Sequence, residues 1–354
     1  MYRHFTRILR LTGVTFLAVL ALSGAARAQE VTLKLHHFLP PMSPFHAKFM
    51  QPWADRVMKQ SNGRIKIQVY PSMQLGGTPP QMFDQIKDGI TDIGWTVAGY
   101  SAGRFPTFEI FELPFMVNSA SGGSRALWEF VQVNKLDKTE FKDVKLLAVH
   151  QHDEPHFHMV DKPIKTLADL KGMKVRAPTR ITNKLLTALG ATPVGMPITQ
   201  VSDALSKGVI NGALLPWEIV PSIKAHELVK YHSEIDPQSP WLYATVFVFA
   251  MNKEKYASLP PDLKKIIDAN SGPELSMSIG KMADDEAIPA RKQAVDRGNT
   301  FNTIPMEELK NWQKAAQTVT EDWIKDLDKR GLDGKALVNS ARELIQKYDK
   351  KISA

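Results

Sequence analysis

Residues 31–70 read VTLKLHHFLPPMSPFHAKFMQPWADRVMKQSNGRIKIQVY. In the first and last six residues of this segment, apolar side chains alternate with other residues, which is the period of a half-buried β-strand. Between them, apolar residues recur every four positions from Phe45 to Val57, which predicts a helix that ends at Asn62-Gly63. Pro52 is expected to kink this helix. A strand, a helix and a second strand predict a βαβ unit with a largely parallel sheet.

The same order of elements continues along the chain. Residues 78–81, Thr-Pro-Pro-Gln, are typical of a helix start. After Phe141 strands and a helix resume, which predicts a second α/β lobe. Residues 243–251 predict a strongly apolar strand, and everything beyond Pro260 is predicted to be helical.

The first 28 residues have the pattern of a secretory signal peptide. Three arginines precede an apolar run from Leu11 to Leu22, and Ala26-Arg27-Ala28 matches an A-x-A cleavage pattern, so cleavage is expected after Ala28. The run is shorter than the roughly 20 residues that a spanning helix needs. We therefore expect an exported, soluble mature protein.

Composition excludes several classes of protein and site. The chain has 354 residues, 43% hydrophobic and 23% charged, a globular balance. With no cysteine, it has no Cys-ligated metal, thiol nucleophile or lipidated cysteine. Residues 1–28 hold four arginines and no acid, so the formal net charge of +8 falls to +4 without them. This mild charge, with no Lys/Arg block, predicts no nucleic-acid partner.

Seven groups of short segments, in this order, resemble the solute-binding proteins of tripartite ATP-independent periplasmic (TRAP) transporters, the dicarboxylate-binding-receptor (DctP) family. They are SNGRI (61–65) with YP (70–71) and QLG (74–76), GITDI (89–93), GRFP (103–106), ELPF (112–115), PIKT (163–166) with DLKGMKVRAP (169–178), GATPV (190–194) and GVING (208–212). The resemblance extends from about Val31 to Tyr348. It implies an α/β, two-lobed periplasmic binding protein fold (Venus flytrap) with crossing strands and long C-terminal helices.

This resemblance also implies an organisation and a role. We expect lobe I at 29–150, with part of 243–300 returning to it, and lobe II at 151–242. Residues 243–354 would supply a crossing strand, a long connecting helix and C-terminal helices that pack on both lobes. The expected role is that of a monomeric periplasmic receptor that captures a small organic carboxylate and delivers it to membrane permease subunits, with no cofactor and no enzymatic activity.

Arg176 is the first candidate for ligand binding. It ends a predicted strand just before Pro178 and matches the arginine that grips the ligand carboxylate in similar proteins. A planar guanidinium makes two parallel charge-assisted bonds to a carboxylate, which a lysine cannot copy. Thr179 stands where relatives often have a hydrogen-bonding side chain.

Two departures from the family pattern point to the kind of ligand. Many relatives carry a second arginine in the segment before Pro163, but none occurs here between His150 and Lys162, which favours a monocarboxylate. Where relatives commonly have a polar run after Gly212, this chain has Ala-Leu-Leu-Pro-Trp at 213–217. An apolar wall favours an aromatic monocarboxylate, such as a benzoate, benzoylformate or phenylpropenoate. The alternative is an aliphatic keto or hydroxy acid.

Further candidates would line this wall or bind a second polar group of the ligand. Each aromatic candidate also fits ordinary core packing, and each histidine also fits an ordinary strand position. The candidates are Phe38, Trp95, Tyr100, Trp217 and Asn211, the histidines His37, His152 and His156 as neutral donors, and in addition Phe157, Trp241 and Tyr243.

Two functions of other classes stay open. His150, His152, His156 and His158 alternate on a predicted hairpin, which suits a zinc, nickel or copper site. Residues 99–103, Gly-Tyr-Ser-Ala-Gly, fit the G-x-S-x-G elbow of serine hydrolases, but that elbow needs a helix directly after it. Pro106 argues against a helix there.

Overall fold

The computed structural model describes residues 30–349, and the predicted signal peptide and its cleavage site lie outside them. Within these residues, eleven strands form two sheets. The strands are β1 (Val31–His36), β2 (Ile65–Tyr70), β3 (Ile93–Val97), β4 (Val144–Gln151), β5 (Pro155–Met159), β6 (Lys174–Ala177), β7 (Thr192–Gly195), β8 (Gly212–Pro216), β9 (Tyr231–Ile235), β10 (Val246–Asn252) and β11 (Thr300–Ile304).

The first sheet begins with the predicted βαβ unit. Its strand order is β2-β1-β3-β10-β4, and β1 pairs in parallel with both β2 and β3. The helix between β1 and β2 starts as a π-helix at Phe45–Met50 and continues as an α-helix at Gln51–Gln60. Pro52 lies at the junction of these two parts, directly after the π-helical turn and in the first turn of the α-helix. The sheet is mixed, because β10 runs antiparallel to β3 and β4.

The second sheet has the order β11-β9-β5-β8-β6-β7 and contains both parallel and antiparallel pairs. The chain enters it directly from β4 through residues 152–154, so consecutive strands belong to different sheets. The strand that follows Phe141 therefore belongs to the first sheet, and the second lobe begins after it. The reason is that β4 pairs along its length with β10, which returns from the second sheet.

The strands β7, β9 and β11 were not expected. The prediction that everything after Pro260 is helical is wrong at β11, which pairs in parallel with β9 at the edge of the second sheet. Gly298, at a φ of 81°, follows the end of the preceding helix. Because β11 is only partly buried, its alternation of polar and apolar residues is weak.

Helices cover both sheets, and the longest ones come late in the chain. The helix Pro273–Asp296 contacts both lobes. In the first lobe, its Gly280 packs against the backbone of Ala120, and in the second lobe the helix packs against the turn Trp217–Ile219. No helix among residues 30–349 has the length and apolarity to cross a bilayer. The other α-helices are Met82–Lys87, Ala120–Val133, Leu167–Leu170, Arg180–Ala188, Val201–Ser206, Ala225–Leu228, Lys253–Ser258, Pro261–Ala269, Met306–Lys329 and Gly334–Tyr348.

Candidate ligand-binding site

A cavity lies between the two sheets. Its walls come from the segment after β1, from β3 and β10, and from β6, β8 and the turn after β8. Most of the wall is apolar or aromatic and a few groups are polar, which is typical of small-molecule sites. The lining residues are Phe38, Leu39, Phe45, Trp95, Val97, Tyr100, His152, Arg176, Pro178, Ile198, Leu215, Pro216, Glu218, Ile219, Tyr243, Thr245 and Phe247.

Arg176 is the one arginine or lysine among these lining residues. The residue is only 3% exposed. Its Nε–H donates to the carbonyl oxygen of Met196 (3.0 Å) and its Nη1 to that of Leu214 (3.2 Å), which fixes the plane of the guanidinium. Within residues 30–349, neither these bonds nor any ion pair gives Arg176 a carboxylate partner. Because a buried charge needs a partner, the remaining N–H groups favour an anion in the cavity.

An aromatic wall stands in the first lobe. Trp95 on β3 lies almost parallel to Phe247 on β10, with ring centroids 4.9 Å apart. Phe38 and Phe45 pack on Trp95 at 5.0 and 5.2 Å. The indole Nε1–H donates to Nε2 of His150 at 2.7 Å, so the polar atom of Trp95 is satisfied outside the cavity lining. The wall can therefore receive a flat apolar group without leaving a buried donor unpaired.

The two lobes touch around the cavity. The hydroxyl of Tyr100, which follows β3, accepts a hydrogen bond from the backbone N–H of Ile198 in the second lobe at 2.9 Å. Arg180, on the helix after β6, forms a two-pronged ion pair with Glu109 of the first lobe, with its Nε 2.7 Å from one carboxylate oxygen. Gly99 lies so close to Thr179 that a β-carbon there would clash with the threonine side chain. The cavity is thus enclosed by lobe-to-lobe contacts.

The structure brings five of the predicted ligand-binding residues together and separates the other five from them. Phe38, Trp95, Tyr100, His152 and Arg176 line the cavity, as does Tyr243. The residues His37, His156, Thr179, Asn211 and Trp217, as well as Phe157 and Trp241, are not among its lining residues.

The five ligand-binding candidates that do not line the cavity each make a hydrogen bond or a ring contact elsewhere in the structure. Nε2 of His37 pairs with Nδ1 of His46 at 2.9 Å. Thr179 caps the helix Arg180–Ala188, and Asn211 accepts a bond from the backbone N–H of Lys174. Trp217 donates from Nε1 to Glu234 at 3.0 Å, and His156 lies beside its ring. These contacts hold the five side chains outside the cavity lining.

His152 lines the cavity but has no N–H to offer. Its Nε2 accepts the backbone N–H of Thr245 at 2.9 Å, and its Nδ1 pairs with the carbonyl oxygen of Asp153. The proton therefore lies on Nδ1 and is already donated. Burial lowers the pKa of His152 to about 4, so the ring is neutral at pH 7. The prediction that it replaces a second arginine as a donor to the ligand does not fit this geometry.

The four alternating histidines do not converge on a metal. The hairpin expected for them is absent, since β4 pairs with β10 whereas β5 pairs with β8 and β9 in the other sheet. His158 bonds to the ring of His232 and to the carbonyl oxygen of Leu215. In the described range 30–349, no group of three or more histidines, aspartates or glutamates is placed to hold a metal ion.

The hydrolase alternative also lacks its structural context. Ser101 follows a single 3-10 turn, Ala98–Tyr100, and the next helical element is the 3-10 helix Phe108–Glu112. A nucleophile elbow needs a strand-to-helix turn at the serine. Ser101 points its hydroxyl toward the carbonyl oxygen of Pro80 at 3.5 Å.

Sequence reasoning missed several lining residues. Phe45 and Phe247 belong to strongly apolar segments in which nothing separates a cavity position from a core position. Leu215 lies within the apolar run at 213–217. The sequence therefore predicted an apolar wall in this segment but did not single out Leu215 as a lining residue. Glu218, directly after that run, carries the acidic group of the cavity.

A second buried acid, Glu112, lies beside the cavity without lining it. It is 0% exposed, and its Oε1 accepts the backbone N–H of Val246 at 3.3 Å. Burial raises the pKa of its carboxyl from about 4.5 to about 8. Between these values the folded state keeps a proton that the unfolded state has lost, so this group lowers stability as the pH rises from 4.5 to 8.

We expect the Glu112→Gln variant to lose this pH dependence. Glutamine keeps the oxygen that accepts from Val246 and cannot ionise. The free energy of unfolding of the variant relative to the original protein should rise from pH 5 to pH 8, by roughly 1.4 kcal/mol per pH unit at most. The difference in melting temperature between the two proteins should rise with it. Differential scanning calorimetry at four pH values measures this. A constant difference across the range would contradict the buried neutral carboxyl.

Two α/β lobes around a mostly apolar cavity with one buried arginine form a site that can hold a small anionic ligand. The chain belongs to the family described as bacterial extracellular solute-binding protein, family 7 (DctP), whose model matches residues 35–326. This confirms the resemblance to TRAP transporter receptors and the two-lobed fold.

Three solved structures are informative relatives. A TRAP solute-binding protein from Rhodoferax ferrireducens T118, in complex with copurified benzoate, is 49% identical with a TM-score of 0.89 over 92% of this chain and 100% of that one. A marine metagenome protein specific for aromatic acid ligands, with 3-hydroxybenzoate, is 50% identical with a TM-score of 0.88 over 91% and 100%. A Bordetella bronchiseptica protein with bound (R)- and (S)-mandelate is 26% identical, with a TM-score of 0.83 over 90% and 100%.

Proposed function

We propose that this receptor binds an aromatic monocarboxylate of about the size of benzoate. The observation that carries the proposal is the buried, carboxylate-free guanidinium of Arg176 in a cavity whose other wall is aromatic. The carboxylate would take the remaining N–H groups of Arg176 in a charge-assisted pair. Relatives at about half sequence identity bind benzoate and 3-hydroxybenzoate, which supports the same class of ligand here.

One carboxylate fits the cavity better than two. No second arginine or lysine lines it, and His152 is neutral with both ring nitrogens engaged. A second ligand carboxylate would be desolvated without a partner. By contrast, burying about 120 Å² of ring surface contributes roughly 3 kcal/mol, and stacking adds about 0.5–1.5 kcal/mol.

The test is isothermal titration calorimetry on the purified protein, after unfolding and refolding to remove any copurified ligand. The panel is benzoate, cyclohexanecarboxylate, pyruvate and succinate. We expect micromolar or tighter binding of benzoate, weaker binding of the non-planar cyclohexane acid, and no saturable binding of succinate. Preferential binding of pyruvate would contradict the aromatic proposal and favour the aliphatic keto acids, while leaving the receptor class intact.

The Glu109–Arg180 pair gives a prediction about closure. Because it joins the two lobes without lining the cavity, Arg180→Gln should destabilise the closed form and raise the Kd for benzoate about threefold to tenfold. Lys207→Gln, at an exposed i,i+4 pair with Asp203 that is not connected to Glu109 or Arg180, is the control and should bind like the original protein. Equal affinity in Arg180→Gln would show that this pair does not support the ligand-bound state.

The cellular setting is part of the same proposal. We infer that the protein works in the periplasm and passes its ligand to TRAP permease subunits, which the family membership supports. The N-terminal pattern of residues 1–28 agrees with export. Mass spectrometry of the protein recovered from the periplasm of an expressing Gram-negative host tests this, with Gln29 expected as the first residue.

A further inference from the structure

Two buried polar side chains of the cavity have no partner in the described part of the chain. Glu218 is 1% exposed, and neither of its carboxyl oxygens makes a hydrogen bond of good geometry, although the backbone N–H groups of Glu218 and Asp153 lie near the carboxyl. Tyr243 is also 1% exposed, and its hydroxyl likewise has no hydrogen-bond partner. Both residues line the cavity. Unsatisfied buried polar groups are costly and rare, so two in one cavity call for a ligand group that pairs with them.

The position of Glu218 follows from the local fold. It lies in the 3-10 turn Trp217–Ile219, directly after β8, and the long helix Pro273–Asp296 packs against this turn. Pro216 and Ile219 line the cavity on either side of it. Tyr243 is close enough to Arg176 and to Glu218 to be influenced electrostatically by both. The cavity thus has a cationic group, a phenol and an acid within one enclosed space.

The protonation of Glu218 decides what it can pair with. Burial raises the pKa of its carboxyl well above the ordinary range. Burial also raises the pKa of the neighbouring Asp153 carboxyl. A protonated carboxyl offers one O–H donor and a carbonyl acceptor. A metal ion does not fit, because the described residues provide no group of three ligands for one.

We propose that Glu218 and Tyr243 form a polar subsite for a hydroxyl group on the ring of the ligand, so that the receptor prefers hydroxylated aromatic acids to benzoate. This rests on the proposed function. A phenolic hydroxyl donates one hydrogen bond and accepts another, which matches the unpaired atoms of the two side chains. A site built to bond a hydroxyl disfavours the analogue that lacks it, because its own polar groups then stay unpaired.

The experiment is a calorimetric comparison of benzoate with its 2-, 3- and 4-hydroxy derivatives. The unmodified protein should bind one hydroxy isomer at least tenfold more tightly than benzoate. Glu218→Leu and Tyr243→Phe should each reduce that ratio at least fivefold, whereas Glu218→Gln, which keeps a donor and an acceptor, should retain most of it. Glu140→Gln is the matched control, since it changes a half-buried acid that neither lines the cavity nor acts on Tyr243, and its ratio should be unchanged.

Two results would overturn the subsite. One is a protein that binds benzoate as tightly as every hydroxy isomer; the other is an unchanged ratio in both Glu218→Leu and Tyr243→Phe. If Glu218→Leu does not fold, the Tyr243→Phe ratio decides alone, because loss of one hydroxyl preserves the ring. Failure of the subsite is distinct from failure of the proposed function, since in the first case benzoate still binds and depends on Arg176, and in the second it does not bind.

Discussion

Replacing Arg176 with alanine is expected to raise the Kd for benzoate at least 100-fold. The ligand carboxylate would be desolvated in an apolar cavity whose lining contains no other arginine or lysine. Leaving a buried charge without its partner costs roughly 3 kcal/mol or more, and about 1.4 kcal/mol is a factor of ten in affinity. Calorimetry with benzoate measures the change.

Two further variants separate the geometry of Arg176 from its charge and from general effects. Arg176→Lys keeps a cation but loses the planar fork and the paired bonds to Met196 and Leu214, so we expect an intermediate loss. Arg104→Ala, which removes an arginine paired with Asp84 outside the cavity, should leave affinity unchanged. Unchanged benzoate affinity in folded Arg176→Ala would refute the placement of the carboxylate.

A second large effect should distinguish two buried tryptophans. Trp95→Leu removes the ring at the centre of the aromatic wall, and we expect the Kd for benzoate to rise about tenfold. Trp217→Leu removes a ring that packs on His158 and His232 behind the wall, so it should lower the melting temperature without changing the Kd more than twofold. Both residues are almost fully buried, so the comparison controls for lost core packing.

The ligand panel sharpens this comparison. If Trp95 stacks on the ring, Trp95→Leu should weaken benzoate more than cyclohexanecarboxylate, because the stacking energy belongs to flat rings. Equal losses of affinity for both acids would show that Trp95 contributes apolar contact area but no ring stacking. A loss of benzoate affinity in Trp217→Leu as large as that in Trp95→Leu would mean that Trp217, although outside the lining, also determines the shape of the cavity wall.

The first βαβ unit was predictable because the patterns of its strands and helix are local in the sequence. The alternation at 31–36 and 65–70 and the fourfold spacing between them depend on neighbouring residues alone, and the parallel pairing of β1 with β2 followed. Long-range pairing was not predictable in the same way. β4 joins β10 across about 100 residues, and β11 joins β9 after a long helix. Partners so distant leave no local pattern in one sequence.

The site residue that the family resemblance marks was predictable, whereas most of the other lining residues were not. Arg176 stood out because its position matches the arginine that grips the ligand carboxylate in similar proteins, and the structure places it in the cavity. Aromatic residues are frequent both in cores and in sites, so Trp95 and Trp217 were equivalent in sequence although only one lines the cavity. Glu218 was overlooked because one acidic residue after an apolar run looks like a surface position until the packing of the helix Pro273–Asp296 is known.

The most direct measurement is a crystal structure of the protein with benzoate. We predict one benzoate in the cavity between the lobes, with its carboxylate within about 3 Å of the guanidinium nitrogens of Arg176 and its ring against Trp95 and Phe247. Benzoate bound with its carboxylate away from Arg176, or found only outside the cavity, would contradict the assignment of this cavity as the ligand site.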